Sequence, residues 1–279
     1  MTTKTDRESS PAAKYNAAER AAALDMNRTL GVGIGEPPYD AEVTTPKPPK
    51  QTWSEAEDCA ANRLAPVLRA LARSEQAELD RLRASQAVLD RDDAVWHLIL
   101  QSFSTWGKSD GWHGLIGNRK NYARVTIEAI SSYPSDRRIA EVERAMRDAE
   151  VRYPNNKARY LVENHHLFSE MGGARAVRDR LLAAPGRDGK IDFLLQFSGI
   201  GPKYARNILM DVYHPDFHDS IAIDSRLQRV TRKLGLSFKT YEVEEAFYVE
   251  TGRRAGLNGW TVDRILYNFM KMVLDQLVW

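Results

Sequence analysis

Apolar residues recur along most of this chain at three- and four-residue intervals, the spacing of helices that bury one face. Ser54 and Glu57 form the S-x-x-E pattern that opens a helix, and Leu64, Val67, Leu68 and Leu71 follow on one face. Asp92 or Asp93 is placed to cap a second apolar helix, Ala94 to Thr105. Gly107, Gly111, Gly114 and Gly117 then predict a loop. Helices are expected at Asn121 to Ser131, Ser135 to Val151, Asn155 to Met171 and Arg175 to Leu182. Tyr133-Pro134 and Tyr153-Pro154 punctuate them, because the residue before proline is disfavoured in a helix. Ile191 to Phe197, Pro202 to Tyr213, Ser225 to Leu234, Tyr241 to Thr251 and Thr261 to Leu277 complete the series. No alternating pattern of strand length appears, and nothing repeats at a fixed period. The pattern predicts an all-α fold.

Residues 1–50 break this pattern. They hold Pro37-Pro38, Pro46 and Pro48-Pro49 among polar and mixed charges, with one short helical stretch from Ala17 to Met26. They read as a flexible leader with too little apolar surface to order itself. Residues 51–279 read as one globular unit.

Composition narrows the chemistry by exclusion. Among 279 residues the net charge is only +2, so bulk charge does not select nucleic acid as the partner. A DNA-binding surface would have to come from local clustering. Cys59 is the sole cysteine, which excludes an internal disulfide, a four-cysteine iron–sulfur cluster and a cysteine-based zinc site. No apolar run is long enough to span a membrane. The first residues lack the apolar core of a signal peptide. The expected location is the cytoplasm, or the nucleoid in a bacterium or archaeon.

The segment richest in chemical meaning runs from Leu194 to Asp224. Gly199-Ile200-Gly201 lies between two apolar helical halves, with Pro202 suited to the first position of the second helix. The glycines permit positive φ and close approach of another backbone. Ile200 can point into the core, and Ala205 is small enough to let the helices pack tightly. The exposed amides at such a helix start can hold a phosphate without reading sequence, often with a bound cation. A tight turn with only a packing role would show the same glycines. Lys203 sits in the first turn of the second helix. Twenty-one positions later the apolar run Ile221-Ala222-Ile223 ends in Asp224, where another helix begins.

This segment resembles the signature of the helix-hairpin-helix (HhH-GPD) DNA glycosylase superfamily, of the endonuclease III and 8-oxoguanine DNA glycosylase type. Lys203 stands where the bifunctional members carry a lysine, and Asp224 matches their aspartate. Tyr153-Pro154-Asn155-Asn156-Lys157-Ala158 resembles the start of the preceding helix in these enzymes. The resemblance implies a two-lobed helical fold with the active-site cleft between the lobes. One lobe would span roughly 92–212, including the hairpin at 191–213, and the other 54–91 plus 220–279. It implies a monomer acting on double-stranded DNA with a damaged base, no required cofactor and a monovalent cation at the hairpin, while the single cysteine selects a branch without an iron–sulfur cluster.

The same resemblance implies base excision, with 8-oxoguanine as one candidate substrate. Asp224 would stabilise the cationic sugar, and the Lys203 amine would attack C1′, form a Schiff base and open the way to strand cleavage. The amine must be neutral to attack, and burial and the helix N-terminus both favour that form. Gly199, Ile200, Gly201, Pro202, Lys203 and Tyr204 would bind the DNA backbone. Gln101, Ser102, Phe103, Ser104, Trp106, Trp112 and Trp279 are candidates for the base pocket or for filling the gap left by a flipped base. Trp96, Trp260, Tyr267 and Phe269 are further aromatics with a core role as the simpler reading. Two other functions remain open: a monofunctional glycosylase for alkylated bases using Asp224 and water, and a non-enzymatic protein that keeps the hairpin as a clamp. His214 and His218 flank Pro215 and do not share a helical face, so a loop reading is preferred over a metal site. His165-His166 reads as an exposed helical face.

Overall fold

The computed structural model describes residues 52–83, 86–105 and 110–277. The leader at 1–50 lies outside the described residues, as do Trp106, Gly107 and Trp279. Among the described residues the elements are α-helices and two 3-10 turns, with no strand. The helices are α1 (Glu55–Ser74), α2 (Gln76–Arg83), α3 (Ala94–Thr105), α4 (Asp110–Leu115) and α5 (Arg119–Ala123). Then come α6 (Ile127–Ser132), α7 (Arg138–Asp148), α8 (Pro154–Glu170), α9 (Ala174–Ala183) and α10 (Gly186–Leu194). The last are α11 (Pro202–Asp211), α12 (Ser225–Lys233), α13 (Tyr241–Ala255), α14 (Gly259–Asn268) and α15 (Met270–Gln276).

Local chemistry explains where these helices start. Ser54 accepts the Glu57 amide, and Glu57 returns a bond to the Ser54 amide at 2.7 Å, closing the capping box of α1. Asp93 does something other than cap α3: its carboxylate takes Arg91 Nε at 2.7 Å. The expected helix at Asn121 to Ser131 is two helices. Between them the Val125 carbonyl accepts the buried Trp96 indole N–H at 2.9 Å, and Thr126 caps α6. The expected helix at Thr261 to Leu277 also divides, at Phe269. There Asn268 Nδ2 donates to the Arg264 carbonyl at 2.7 Å, taking an acceptor of the helix ladder, and the Phe269 ring is buried.

The expected glycine loop is in part a helix. Gly111 and Gly114 lie inside α4, and each permits a close backbone approach. A Cβ on Gly114 would sit 2.1 Å from the Ala149 carbonyl oxygen, and one on Gly111 would sit 3.1 Å from Val151 Cα. Here glycine serves tight packing between α4 and the end of α7 rather than a turn. His165 also departs from the expected exposed face. It is buried, with Nε2 2.8 Å from Ser131 Oγ, while His166 is exposed.

Two sets of helices pack around a continuous apolar core. In one, α1 lies along α13 and α14, and α12 packs on α14 and α15. In the other, α3 packs on α4, α9 and α11, while α7 lies along α8. Helix α11 joins the two sets. Its last turn receives the Trp260 indole N–H at the Met210 carbonyl, 2.8 Å away, and Arg264 at Asp211, 3.0 Å away.

Overfilling the α4 contact has a measurable cost. Gly114→Ala should lower stability by about 2 kcal/mol, since the added carbon meets backbone that cannot rotate away. Thermal unfolding monitored by circular dichroism checks this; an unchanged midpoint would show that α4 can withdraw from α7 freely.

Candidate active site

The hairpin joins α10 to α11 and is fixed from α8. Asn164, buried within α8, accepts the Ser198 amide at 2.7 Å and donates to the Ser198 carbonyl at 3.0 Å. The two glycines differ in what they need. Gly199 has φ +81°, and a Cβ there would lie 2.7 Å from Tyr160 and 2.9 Å from Phe103. The fold itself requires that glycine. Gly201 has φ −100°, and a Cβ there would meet nothing within 4 Å. Its bare backbone faces open space at the start of α11, where no side chain caps the helix. Ile200 and Ala205 are buried, as their spacing suggested.

Lys203 and Tyr204 follow in the first turn of α11. Tyr204 is buried and forms a platform for the amine: Lys203 Nζ lies 4.5 Å from its ring centroid. Burial pushes the Lys203 amine below the usual lysine range. The Asp224, Asp211 and Asp263 carboxylates oppose that shift, and Arg226 assists it.

Asp224 reaches the same place from another direction. It caps α12, and its Oδ1 accepts both the Arg226 amide at 2.8 Å and the Leu227 amide at 3.1 Å. Both bonds fall on one oxygen, so Oδ2 is available to an incoming group. The extended stretch before it, Ser220 to Ile223, is buried and has no strand beside it among the described residues. Side chains replace the missing ladder. Glu245 accepts the Ile221 amide at 3.0 Å, Asp263 the Ala222 amide at 2.8 Å, and the Tyr241 hydroxyl oxygen the Ile223 amide at 2.7 Å. Tyr241 then donates its proton to the Ile221 carbonyl at 3.0 Å. Each partner is anchored in turn. Glu245 meets Arg206 of α11 at 2.7 Å, and that guanidinium lies over the Tyr241 ring at 4.3 Å.

The face of α12 that leads away from Asp224 is basic. Arg226, Arg229 and Arg232 are exposed, and none forms an ion pair among the described residues. Arg226 instead lies 4.3 Å over the half-buried ring of Tyr267.

The remaining candidates are spread out. Gln101 is half-buried, with Nε2 3.2 Å from His97 Nε2. Ser102, Phe103 and Ser104 are buried, and both serine hydroxyls bond to backbone carbonyls of their own helix. Trp112 is a core residue of α4, and Trp96, Trp260 and Phe269 are buried too. Trp106 and Trp279 lie outside the described residues. His214 accepts the Asp216 amide at 3.2 Å, and His218 stacks on Tyr213 with 4.1 Å between centroids. Among the described residues no group of histidines, cysteines or carboxylates has the arrangement of a metal site. Cys59 is exposed, and no described helix is long and apolar enough to cross a membrane.

Sequence reasoning missed several residues at this site. Asn164, Glu245, Asp263 and Tyr241 act across the fold, and nothing near them in the chain marks their partners. Tyr153 had a local signal, an aromatic directly before Pro154. It is 46% exposed at φ +58°, a conformation costly for a large side chain, and starts α8. One turn on, the buried Lys157 ammonium donates to the Phe103 carbonyl near the end of α3 at 2.6 Å, tying these two helix ends together.

No family model matches the chain. It is similar to a curated 8-oxoguanine DNA glycosylase/AP lyase of Metallosphaera sedula, with 28% identity over 117 residues. That match covers 39% of this chain and 53% of the relative, so the chain spans about half the length of the curated protein it matches. The 8-oxoguanine DNA glycosylase of Thermotoga maritima superposes with a TM-score of 0.58 at 16% identity, over 76% of this chain and 97% of that one. The Methanocaldococcus jannaschii 8-oxoguanine DNA glycosylase gives 0.59 at 16% identity, over 77% and 96%. Its complex with a 15mer DNA containing 8-oxoguanine gives 0.58 at 15% identity, over 75% and 97%. The chain therefore has the all-helical fold of the helix-hairpin-helix 8-oxoguanine DNA glycosylases, without the cysteines that would hold an iron–sulfur cluster.

Proposed function

We propose that this protein is a base-excision DNA glycosylase with lyase activity, acting on duplex DNA that carries an oxidised purine of the 8-oxoguanine type. One observation carries the reading. A lysine amine held toward its neutral form by burial stands at the start of the hairpin helix, close enough to feel the carboxylate that caps the next helix. A phosphate clamp alone would favour a solvated, fully charged lysine. A nucleophile needs the reverse.

The steps follow from the parts. The uncapped start of α11 and the bare Gly201 backbone accept a DNA phosphate, and the α12 arginines neutralise its neighbours. The target base leaves the stack, and Tyr153, 46% exposed at φ +58°, is the candidate side chain to enter the duplex. The neutral Lys203 amine attacks C1′ as the bond to the base breaks. Asp224 Oδ2 stabilises the positive charge that develops on the sugar. The nitrogen passes a proton to the departing base, and O4′ takes one from water as the ring opens, leaving a protonated Schiff base on Lys203. Water takes the C2′ proton, the C3′–O bond breaks and the 3′ phosphate leaves, which cuts the strand. The relative from Metallosphaera sedula is named for this pair of activities, and one neighbour was solved on DNA holding 8-oxoguanine.

Three outcomes are expected. On duplexes each carrying one modified base, wild type should release 8-oxoguanine and nick the strand. Lys203→Gln should lose both activities by at least roughly 10³-fold, the scale of losing a nucleophile. Release of base by that variant at the wild-type rate would remove Lys203 from the chemistry. The single-turnover rate should rise with pH as Lys203 loses its proton, with a midpoint below the usual lysine value because burial disfavours the ammonium. A midpoint at or above that value would mean that the carboxylates win over burial.

The hairpin glycines should separate. Gly201→Ala should change stability by no more than ~1 kcal/mol, the scale of a weak helix cap, yet weaken binding to duplex DNA. Gly199→Ala should damage both. Binding and melting measurements on the two variants check this, and unchanged DNA affinity in Gly201→Ala would reduce the hairpin to a packing turn.

A further inference from the structure

Asp263, in the first half of α14, is 2% exposed and reaches both halves of the site. Its Oδ1 accepts the Ala222 amide, two residues before Asp224. Its Oδ2 lies 3.3 Å from Arg264 Nη1. Arg264, also 2% exposed, continues to Asp211 at 3.0 Å and to Asn207 Oδ1 at 3.4 Å. Asn207 Nδ2 closes the circuit on Asp211 at 2.8 Å. Lys203, Asn207 and Asp211 are spaced four apart on α11 and so share one helical face. A single network, buried at Asp263 and Arg264 and half-buried at Asn207 and Asp211, thus runs from the segment that carries Asp224, through α14, to the helix face that carries Lys203.

We infer that Asp263 is a positioning residue for the Lys203–Asp224 pair, holding the Asp224 segment through the Ala222 amide and the Lys203 helix through Arg264 and Asp211. The inference rests on the glycosylase reading for its functional meaning, though the positioning itself is a property of the free protein. Geometry makes the residue hard to replace. The Ala222 amide is buried with no strand to pair with, so losing its acceptor leaves an unsatisfied donor. Arg264 is shared between two carboxylates on different helices, so it couples their positions.

The charge of Asp263 has a second effect. Facing it are Lys203 and Asp211 from α11, Asp224 at the start of α12, Tyr241 from α13 and its own neighbour Arg264. Burial, helped by Asp224 and Asp211, raises its carboxyl to about 6 against the pull of Arg264 and the Ala222 amide. Ionised, it favours the ammonium of Lys203 and opposes the burial that favours the amine. Removing that charge must therefore make Lys203 easier to deprotonate.

Two variants separate the effects. Asp263→Asn keeps size and an acceptor oxygen but loses the charge. Asp263→Ala loses the acceptor. In the free full-length protein, Lys203 ionisation is read from the pH dependence of its acylation by acetic anhydride, quantified on its peptide by mass spectrometry. Asp263→Asn should lower that midpoint by ~1 pH unit, the scale of losing one charge within the site. Asp263→Ala should speed hydrogen exchange in the peptide holding Ser220 to Asp224 by at least about tenfold. The acid limb of single-turnover excision should move to lower pH in Asp263→Asn by the same shift as the midpoint. An unchanged Lys203 midpoint in the Asn variant, or unchanged exchange in the Ala variant, would overturn the inference. Wild type that released no base would count against the glycosylase reading instead, while both free-protein measurements would still decide the role of Asp263.

Discussion

A buried extended segment with no neighbouring strand must find partners for its amides elsewhere, because each unpaired one costs about 1–3 kcal/mol. Ile221 to Ile223 meets that constraint with three side chains from two helices. Glu245 and Tyr241 come from α13, and Asp263 comes from α14. Asp224 lies at the end of this cradle, so its position is set by the packing of α13 and α14 rather than by a loop. The same side chains reach α11, through Arg206 and through Arg264 with Asp211. Lys203 and Asp224 come from different parts of the chain, yet one set of buried and half-buried polar bonds sets them relative to each other. Placement of this kind is what an in-line displacement at a sugar carbon requires, since an error of 1 Å can cost roughly 10²-fold in rate.

Buried ion pairs are seldom a net gain in stability, because desolvation offsets their attraction. Their value here is geometric. The Glu245 carboxylate is shared between the Ile221 amide, Arg206 and Arg187, so three elements lose freedom together. Charged side chains also tune the Lys203 amine. Burial drives Lys203 toward the amine, and nearby carboxylates drive it back. The site therefore holds a lysine whose titration is set by burial on one side and nearby carboxylates on the other.

Short-range features of the fold were legible in the sequence. The capping box at Ser54, the hairpin at 199–201 and the cap at Asp224 are each set within a few residues, and a sequence pattern can carry them. Features set across the chain were not. The bonds from the Asp224 segment to Tyr241, Glu245 and Asp263 span 18, 24 and 41 residues, and that of Arg264 to Asp211 spans 53. No local pattern distinguishes these side chains from surface polar residues. Glycines misled for a related reason. Gly111 and Gly114 resemble a loop in sequence, but what selects glycine there is the backbone of Ser104 in α3 and of Ala149 and Val151 just after α7. The aromatics were equally opaque, since Trp112 in the core and Tyr267 beneath Arg226 look alike without their neighbours.

The central claim is that the amine of Lys203 becomes bonded to the sugar. The most direct measurement reduces the wild-type protein with borohydride during reaction on 8-oxoguanine duplex, digests protein and DNA, and maps the modified peptide by mass spectrometry. The account predicts a sugar-derived mass increment on Lys203. An increment on Lys157 or any other lysine, or none while base is released and the strand is cut, would contradict it.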